Sequence, residues 1–126
     1  MDTQQSVFAV YQAHLREGRL AYQYSPTAGK AVFYPRVVCP YTGETTLEWR
    51  VSQGRGTVYS NTVVHRRGEE PYNVTLIDMD EGFRLMSTVK DASGPVAIGA
   101  AVRLSGVGED GDTLYPLFTL DTETPR

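Results

Sequence analysis

Cysteine is almost absent. Cys39 is the single one in 126 residues, which excludes an internal disulfide and fits a reducing, cytoplasmic setting. Long apolar runs are missing too, and none approaches the ~20 residues of a membrane span. No basic stretch followed by an apolar core opens the chain, so no secretory signal is expected. Runs of Lys and Arg are also lacking. With 12 basic against 15 acidic residues the formal net charge is -3, which argues against nucleic acid as a partner. There are 2 histidines, His14 and His65. No nucleophile elbow, paired-histidine metal motif or phosphate loop accompanies them, so no catalytic residue is expected.

What is present reads as one compact unit of mainly short strands. Residues 3–17 have helical spacing, with Phe8, Tyr11 and Leu15 on one face, Asp2 or Thr3 as cap and Gly18 as stop. Leu20 to Tyr24 and Lys30 to Tyr34 predict two strands around a Pro-Thr-Ala-Gly turn. Leu47 to Val51 predicts a third strand. Five more candidates follow Gly54: 56–65; 72–78, where Tyr72, Val74 and Leu76 share a face; 83–89, where Phe83, Leu85 and Val89 do; one around Val102 and Leu104; and one from Leu114 to Leu120. Pro116 marks the last as an edge or bulged strand. The turns between them include Gly108 to Asp112, and residues 91–99 read as a loop because of their Gly and Pro. Five strands of this size suit a small OB barrel. The expected organisation is a helix in 1–18, a ribbon-like segment in 19–52, a barrel in 53–120 and a frayed tail in 121–126.

The ribbon segment has an unusual chemistry. Cys39-Pro40-Tyr41-Thr42-Gly43 has the outline of half a zinc knuckle, Cys-Pro-x-Cys-Gly, with one thiolate missing. Ser25-Pro26-Thr27-Ala28-Gly29 has the outline of the other half with both missing. A structural zinc site needs about four nitrogen or sulfur ligands. At the positions Ser25, Ala28, Cys39 and Thr42 one remains, so no metal is expected, and packing must hold the segment together. The nearby Tyr22, Tyr24, Phe33, Tyr34 and Tyr41 suit either that packing or a partner surface.

The run Gly54-Arg55-Gly56-Thr57-Val58-Tyr59 to His65-Arg66 resembles the signature of the acyl-CoA-associated OB-fold proteins, also called domain of unknown function family thirty-five. Pro71-Tyr72, Asp80-Glu81-Gly82, Arg84-Leu85 and Tyr115-Pro116-Leu117-Phe118 follow in that family's order, and Phe33-Tyr34-Pro35-Arg36 with Leu47-Glu48-Trp49 match its ribbon-to-barrel junction. The resemblance covers about residues 8–118 and implies an all-β fold: an N-terminal helix, a degenerate zinc ribbon and a five-stranded OB barrel. It also implies a non-catalytic accessory subunit of an acyl-CoA-handling enzyme, thiolase-like or condensing, that acts as a docking scaffold and helps shape the acyl-CoA tunnel. Phe8, Tyr11, Tyr22 and Tyr34 would then face the partner. Arg55, His65, Arg66 and Arg84 are the candidates for acyl-CoA itself, since guanidinium groups suit phosphate. Two alternatives stand beside this reading. One is a single-stranded nucleic-acid-binding OB domain with Tyr59, Tyr72 and Phe83 as stacking platforms. The other is a stand-alone enzyme with an acid–base pair in the barrel mouth.

Overall fold

The computed structural model describes residues 6–33, 36, 39–43, 47–90 and 95–121. Helix α1 (Val7–Arg16) starts at Ser6, whose Oγ accepts the Ala9 N–H at 3.0 Å. The cap is thus Ser6 instead of the expected Asp2 or Thr3, which lie outside the described residues. Gly18 ends the helix as expected: it adopts φ 82°, and the next amide, of Arg19, donates to His14 O at 2.9 Å.

Two antiparallel sheets follow. β1 (Ala21–Ser25), β2 (Lys30–Val32) and β3 (Glu48–Val51) form the ribbon sheet in the order β2-β1-β3. β4 (Arg55–Val64), β5 (Tyr72–Met79), β6 (Arg84–Ser87), β7 (Ala101–Asp110) and β8 (Thr113–Leu120) form the second sheet in the order β6-β5-β4-β7-β8. A parallel bridge between Val89 and Phe118 joins the two ends and nearly closes the barrel, an OB arrangement. No helix among the described residues is long and apolar enough to cross a membrane.

Several boundaries moved. The expected turn Gly108 to Asp112 is mostly strand, because β7 and β8 pair up to Asp110 and Thr113. The reversal needs only Gly111 and Asp112. Gly111 at φ 63° supplies the one positive dihedral of a type II′ hairpin. The face shared by Tyr72, Val74 and Leu76 points outward, while Asn73, Thr75, Ile77 and Met79 point into the barrel. Asp121 is anchored, not frayed: it is buried and its amide donates to Ala101 O at 2.8 Å.

One core serves all three parts. Tyr11 and Leu15 of the helix, Leu20, Tyr22 and Ala31 of the ribbon, and Val58, Ile77, Phe83, Val102 and Phe118 of the barrel form a single buried cluster. Phe83 is its hinge point. Its ring stacks on Tyr22 at 4.8 Å and on Phe33 at 5.0 Å, and Phe33 meets Tyr11 edge-on at 5.6 Å. Tyr11 and Tyr22, expected at a partner surface, are therefore core residues, each only 6% exposed. The reason is physical: three short ribbon strands bury too little apolar area alone and borrow the barrel's.

Carboxamides, three buried and one half-buried, supply a second kind of join. Gln12 donates to Leu114 O at 2.9 Å and accepts the Leu114 N–H at 2.7 Å, and so covers part of the β8 edge. Gln23 grips Arg36 in the same way, at 2.9 and 2.6 Å. Asn61 holds Val96, and Asn73 holds Val89. Each amide satisfies both polar groups of one residue in a remote segment, which explains polar side chains at inward positions.

Candidate functional site

The four degenerate knuckle positions come together at the end of the ribbon. Gly29 N–H donates to Ser25 O at 2.8 Å and Gly43 N–H to Cys39 O at 2.9 Å, so each half keeps a tight turn. Ser25 Oγ accepts the Ala28 N–H at 3.1 Å, and the Tyr41 amide donates to Cys39 Sγ at 3.4 Å. Burial pushes the Cys39 thiol up. Hydrogen bonds from the Ser25 and Thr42 hydroxyls and from the Tyr41 and Thr42 amides outweigh it and bring the thiol from 9.0 down to about 7. Hydroxyl and amide donors thus face the sulfur where a metal would sit. One thiolate, two hydroxyls and the methyl of Ala28 do not fit a tetrahedral zinc ion. Cation–π contacts brace the same end of the ribbon, with Arg50 3.7 Å from the Tyr24 ring centre and Lys30 4.7 Å from that of Tyr41.

A depressed thiol pKa links stability to pH in a definite direction. The folded state favours the thiolate, so the contribution is full above the ordinary thiol range and is lost as pH falls through about 7. Urea unfolding midpoints of wild type and Cys39→Ser, measured from pH 6 to 9, should diverge in favour of wild type as pH rises. A pH-independent difference would show that the hydrogen bonds do not hold a thiolate.

The predicted ligand residues are not brought into one place. Arg55 opens β4, whereas His65 and Arg66 lie beyond its far end, up to about 30 Å away at the usual rise per strand residue. Arg84 is already engaged: its Nε donates to Asp78 Oδ1 at 2.5 Å, and its guanidinium stacks 3.5 Å from the Tyr59 ring centre. This cross-strand neighbour, set by the β5–β6 register, removes it from the list of free cations. Arg66 lies 5.9 Å from the ring centre of Tyr72, and His65 is exposed. Tyr34 lies outside the described residues. Of the expected partner-facing residues, Phe8 alone is both described and well exposed, at 55%. Among the described residues no three His, Cys, Asp or Glu side chains cluster to hold a metal.

An apolar trough was not anticipated. A cleft of about 540 Å³ lies on the outer β5–β6 face, lined by Tyr72, Val74, Met86 and Tyr115 with Asp110 at its rim. A second, of about 290 Å³, runs between α1 and the barrel over Phe8, Tyr11, Phe33 and Leu114. Met86 and Tyr115 line both, so the two clefts adjoin. Tyr115 can lie flat because its ring packs on Gly108, where a Cβ would overlap it. The parity of β6 carried the signal: with Leu85 buried, Met86 must face out, and a large apolar side chain there is 55% exposed. The trough uses the face of β5 and β6, the second and third barrel strands, and the β7–β8 hairpin, where OB barrels commonly bind ligands.

Fold and trough together define a ribbon-and-OB-barrel protein with an apolar cleft on its outer face. The profile of the C-terminal OB-fold domain of ChsH2 matches residues 49–107. A solved structure described as the Ltp2-ChsH2(DUF35) aldolase aligns with a TM-score of 0.74 and 26% identity, over 95% of this chain and 98% of that one. A DUF35-family protein of unknown function from Sulfolobus solfataricus shares the fold, with a TM-score of 0.60 and 15% identity over 89% and 83% of the two chains. A probable enoyl-CoA hydratase alpha subunit from Thermomonospora curvata is 33% identical over an alignment of 89 residues that covers 67% of this chain and 28% of that protein. The chain is similar to the DUF35-type OB-fold family, by profile over most of its barrel and by fold over nearly its whole length.

Proposed function

We propose that this chain is a non-catalytic accessory subunit of an acyl-CoA-handling enzyme complex. It docks to a thiolase-like, aldolase or hydratase partner through the trough between α1 and the barrel and contributes a wall of the acyl-CoA tunnel. The observation that carries this reading is the alignment along nearly its whole length with a chain of the Ltp2-ChsH2(DUF35) aldolase. The hydratase alpha subunit supports the same class of chemistry, although this chain spans 28% of its length. The trough supports docking, because contiguous exposed apolar surface rimmed by polar groups marks interaction sites.

Co-purification at native expression level tests the assembly. An acyl-CoA enzyme should be recovered with the tagged chain, in a complex burying at least ~1,000 Å² in total. Recovery of the free chain only would defeat the proposal. The ribbon in this subunit works without zinc: elemental analysis of protein purified without chelator should find far less than one zinc per chain, and chelation should leave the unfolding midpoint unchanged. About one zinc per chain, lost together with the fold, would overturn that part.

A further inference from the structure

Arg55 stands directly opposite Arg103 in the β4–β7 register. Opposed residues of an antiparallel pair project from the same face with Cβ atoms about 4.5–5.5 Å apart, and like charges placed so destabilise the sheet. Both arginines are exposed, while their neighbours Gly56 and Val102 are buried. The other sheet arginines have local carboxylates: Arg84 has Asp78 at 2.5 Å and Arg50 has Glu48 at 3.1 Å. No ion pair among the described residues involves Arg55 or Arg103.

Three acidic groups lie near the pair, and of these only Asp80 is exposed on its face. Glu81 is spent on the β3–β4 junction, where it accepts the Ser52 hydroxyl and the Gln53 amide, both at 2.8 Å. Asp121 follows Thr119, the β8 partner of Arg103, by two residues and so lies diagonally, about 7–8 Å off. Its carboxylate is buried away from solvent. Asp80 is the next residue of the β4–β5 register after Gly56–Met79, its amide donating to Arg55 O at 2.9 Å, so it brings one exposed carboxylate to the same face beside Arg55 and leaves Arg103 as the fork farther from a carboxylate on that face.

The backbone under Arg55 is fixed. Gly54, at φ 83°, accepts the Leu104 N–H at 2.7 Å and donates to Ser52 Oγ at 2.9 Å. Gly56 packs so closely that a Cβ there would come within 2.6 Å of Ile77 and 2.8 Å of Asp78 O. A rigid strand end therefore presents two guanidinium forks side by side. One carboxylate satisfies one fork, whereas a tetrahedral dianion offers enough oxygens for both.

We propose that Arg55 and Arg103 form a phosphate-binding site on the outer barrel wall that takes the phosphorylated nucleotide end of an acyl-CoA. The identity of the ligand rests on the function proposed above; the preference for a phosphate dianion rests on the pair itself. Binding to the free chain is weak and falls with salt, because the site is exposed.

The test is an amide NMR titration of the full chain at low ionic strength with adenosine 3′,5′-bisphosphate, inorganic phosphate, adenosine and acetate. The bisphosphate should produce saturable shifts at the starts of β4 and β7, and inorganic phosphate weaker ones at the same amides. Adenosine and acetate should produce none. Arg55→Gln or Arg103→Gln should raise the Kd about 10-fold or more, the usual effect of deleting a charged hydrogen-bond donor, with the remaining spectrum unchanged. Shifts that fail to saturate, or that survive in the double variant, would overturn the site. Equal response to acetate or to an acidic peptide would make it a carboxylate-docking patch and overturn it as well. The double variant should still co-purify with the enzyme partner. Loss of the partner with bisphosphate binding intact would defeat the assembly reading and leave this site standing.

Discussion

Phe83→Ala is expected to cost about 3–5 kcal/mol of unfolding free energy, the range for emptying a packed aromatic site. The site has three reasons to fall at the upper end. Phe83 is 6% exposed, so the full side chain is lost from the core. Its ring is the shared surface on which Tyr22 and Phe33 stack. The cavity would open between two units, barrel and ribbon, neither of which can collapse inward without losing its own strand register. In a chain of this length such a change lowers Tm by more than ~10 °C. Urea unfolding and calorimetry measure the loss, and Ile98→Ala, at 74% exposure, serves as a control expected within about 0.5 kcal/mol of wild type. Hydrogen exchange adds location: the amides of β1 and β2 should lose protection before those of β4 and β5. A cost below about 1 kcal/mol would mean that the ribbon is held by its carboxamide and cation–π contacts and not by the aromatic stack.

Much of this architecture was legible in the chain. Apolar alternation with Gly and Pro punctuation marked eight strands and one helix in the right order, because each short strand has one face in the shared core. The knuckle outline with Ser25, Ala28 and Thr42 at three of its four positions could be read in the chain as well, and with it the expectation that packing holds the ribbon. What could not be read was which aromatic residues do the packing. Tyr11 and Tyr22 look like any surface tyrosines until the β1–β3 pairing brings the ribbon over Phe83. Register also decided the fate of the arginines. Arg84 and Arg55 are equivalent as residue types, yet one pairs with Asp78 at the sheet edge and the other stands on a central strand between Arg103 and Asp80. Cross-strand pairing carries that information, and periodicity within a single strand does not contain it. The inward carboxamides were not legible for a related reason: Asn73 occupies a core position because Val89, 16 residues away, needs both of its backbone groups satisfied.

Met86→Glu is expected to abolish partner capture while leaving the fold intact. Met86 belongs to both halves of the trough, and its side chain faces out from β6. Because it is 55% exposed, a carboxylate there remains hydrated in the free chain, and the unfolding midpoint should move by no more than about 0.5 kcal/mol. In the complex the same carboxylate would be stripped of water against an apolar partner surface with no cation to receive it. Central interface residues of this kind contribute 2 kcal/mol or more, so capture should weaken at least about 30-fold. Met86→Leu keeps the apolar surface and should bind as wild type does. Phe8→Ala, at the opposite end of the trough, should weaken capture to a smaller degree, since its position is peripheral. Pull-down from cells co-expressing the recovered partner, with circular dichroism on the same samples, reads both quantities. Wild-type capture by a folded Met86→Glu chain would move the docking surface elsewhere on the molecule. Graded loss in the order Phe8→Ala, then Met86→Glu, would map the partner along the line that joins α1 to the β5–β6 face.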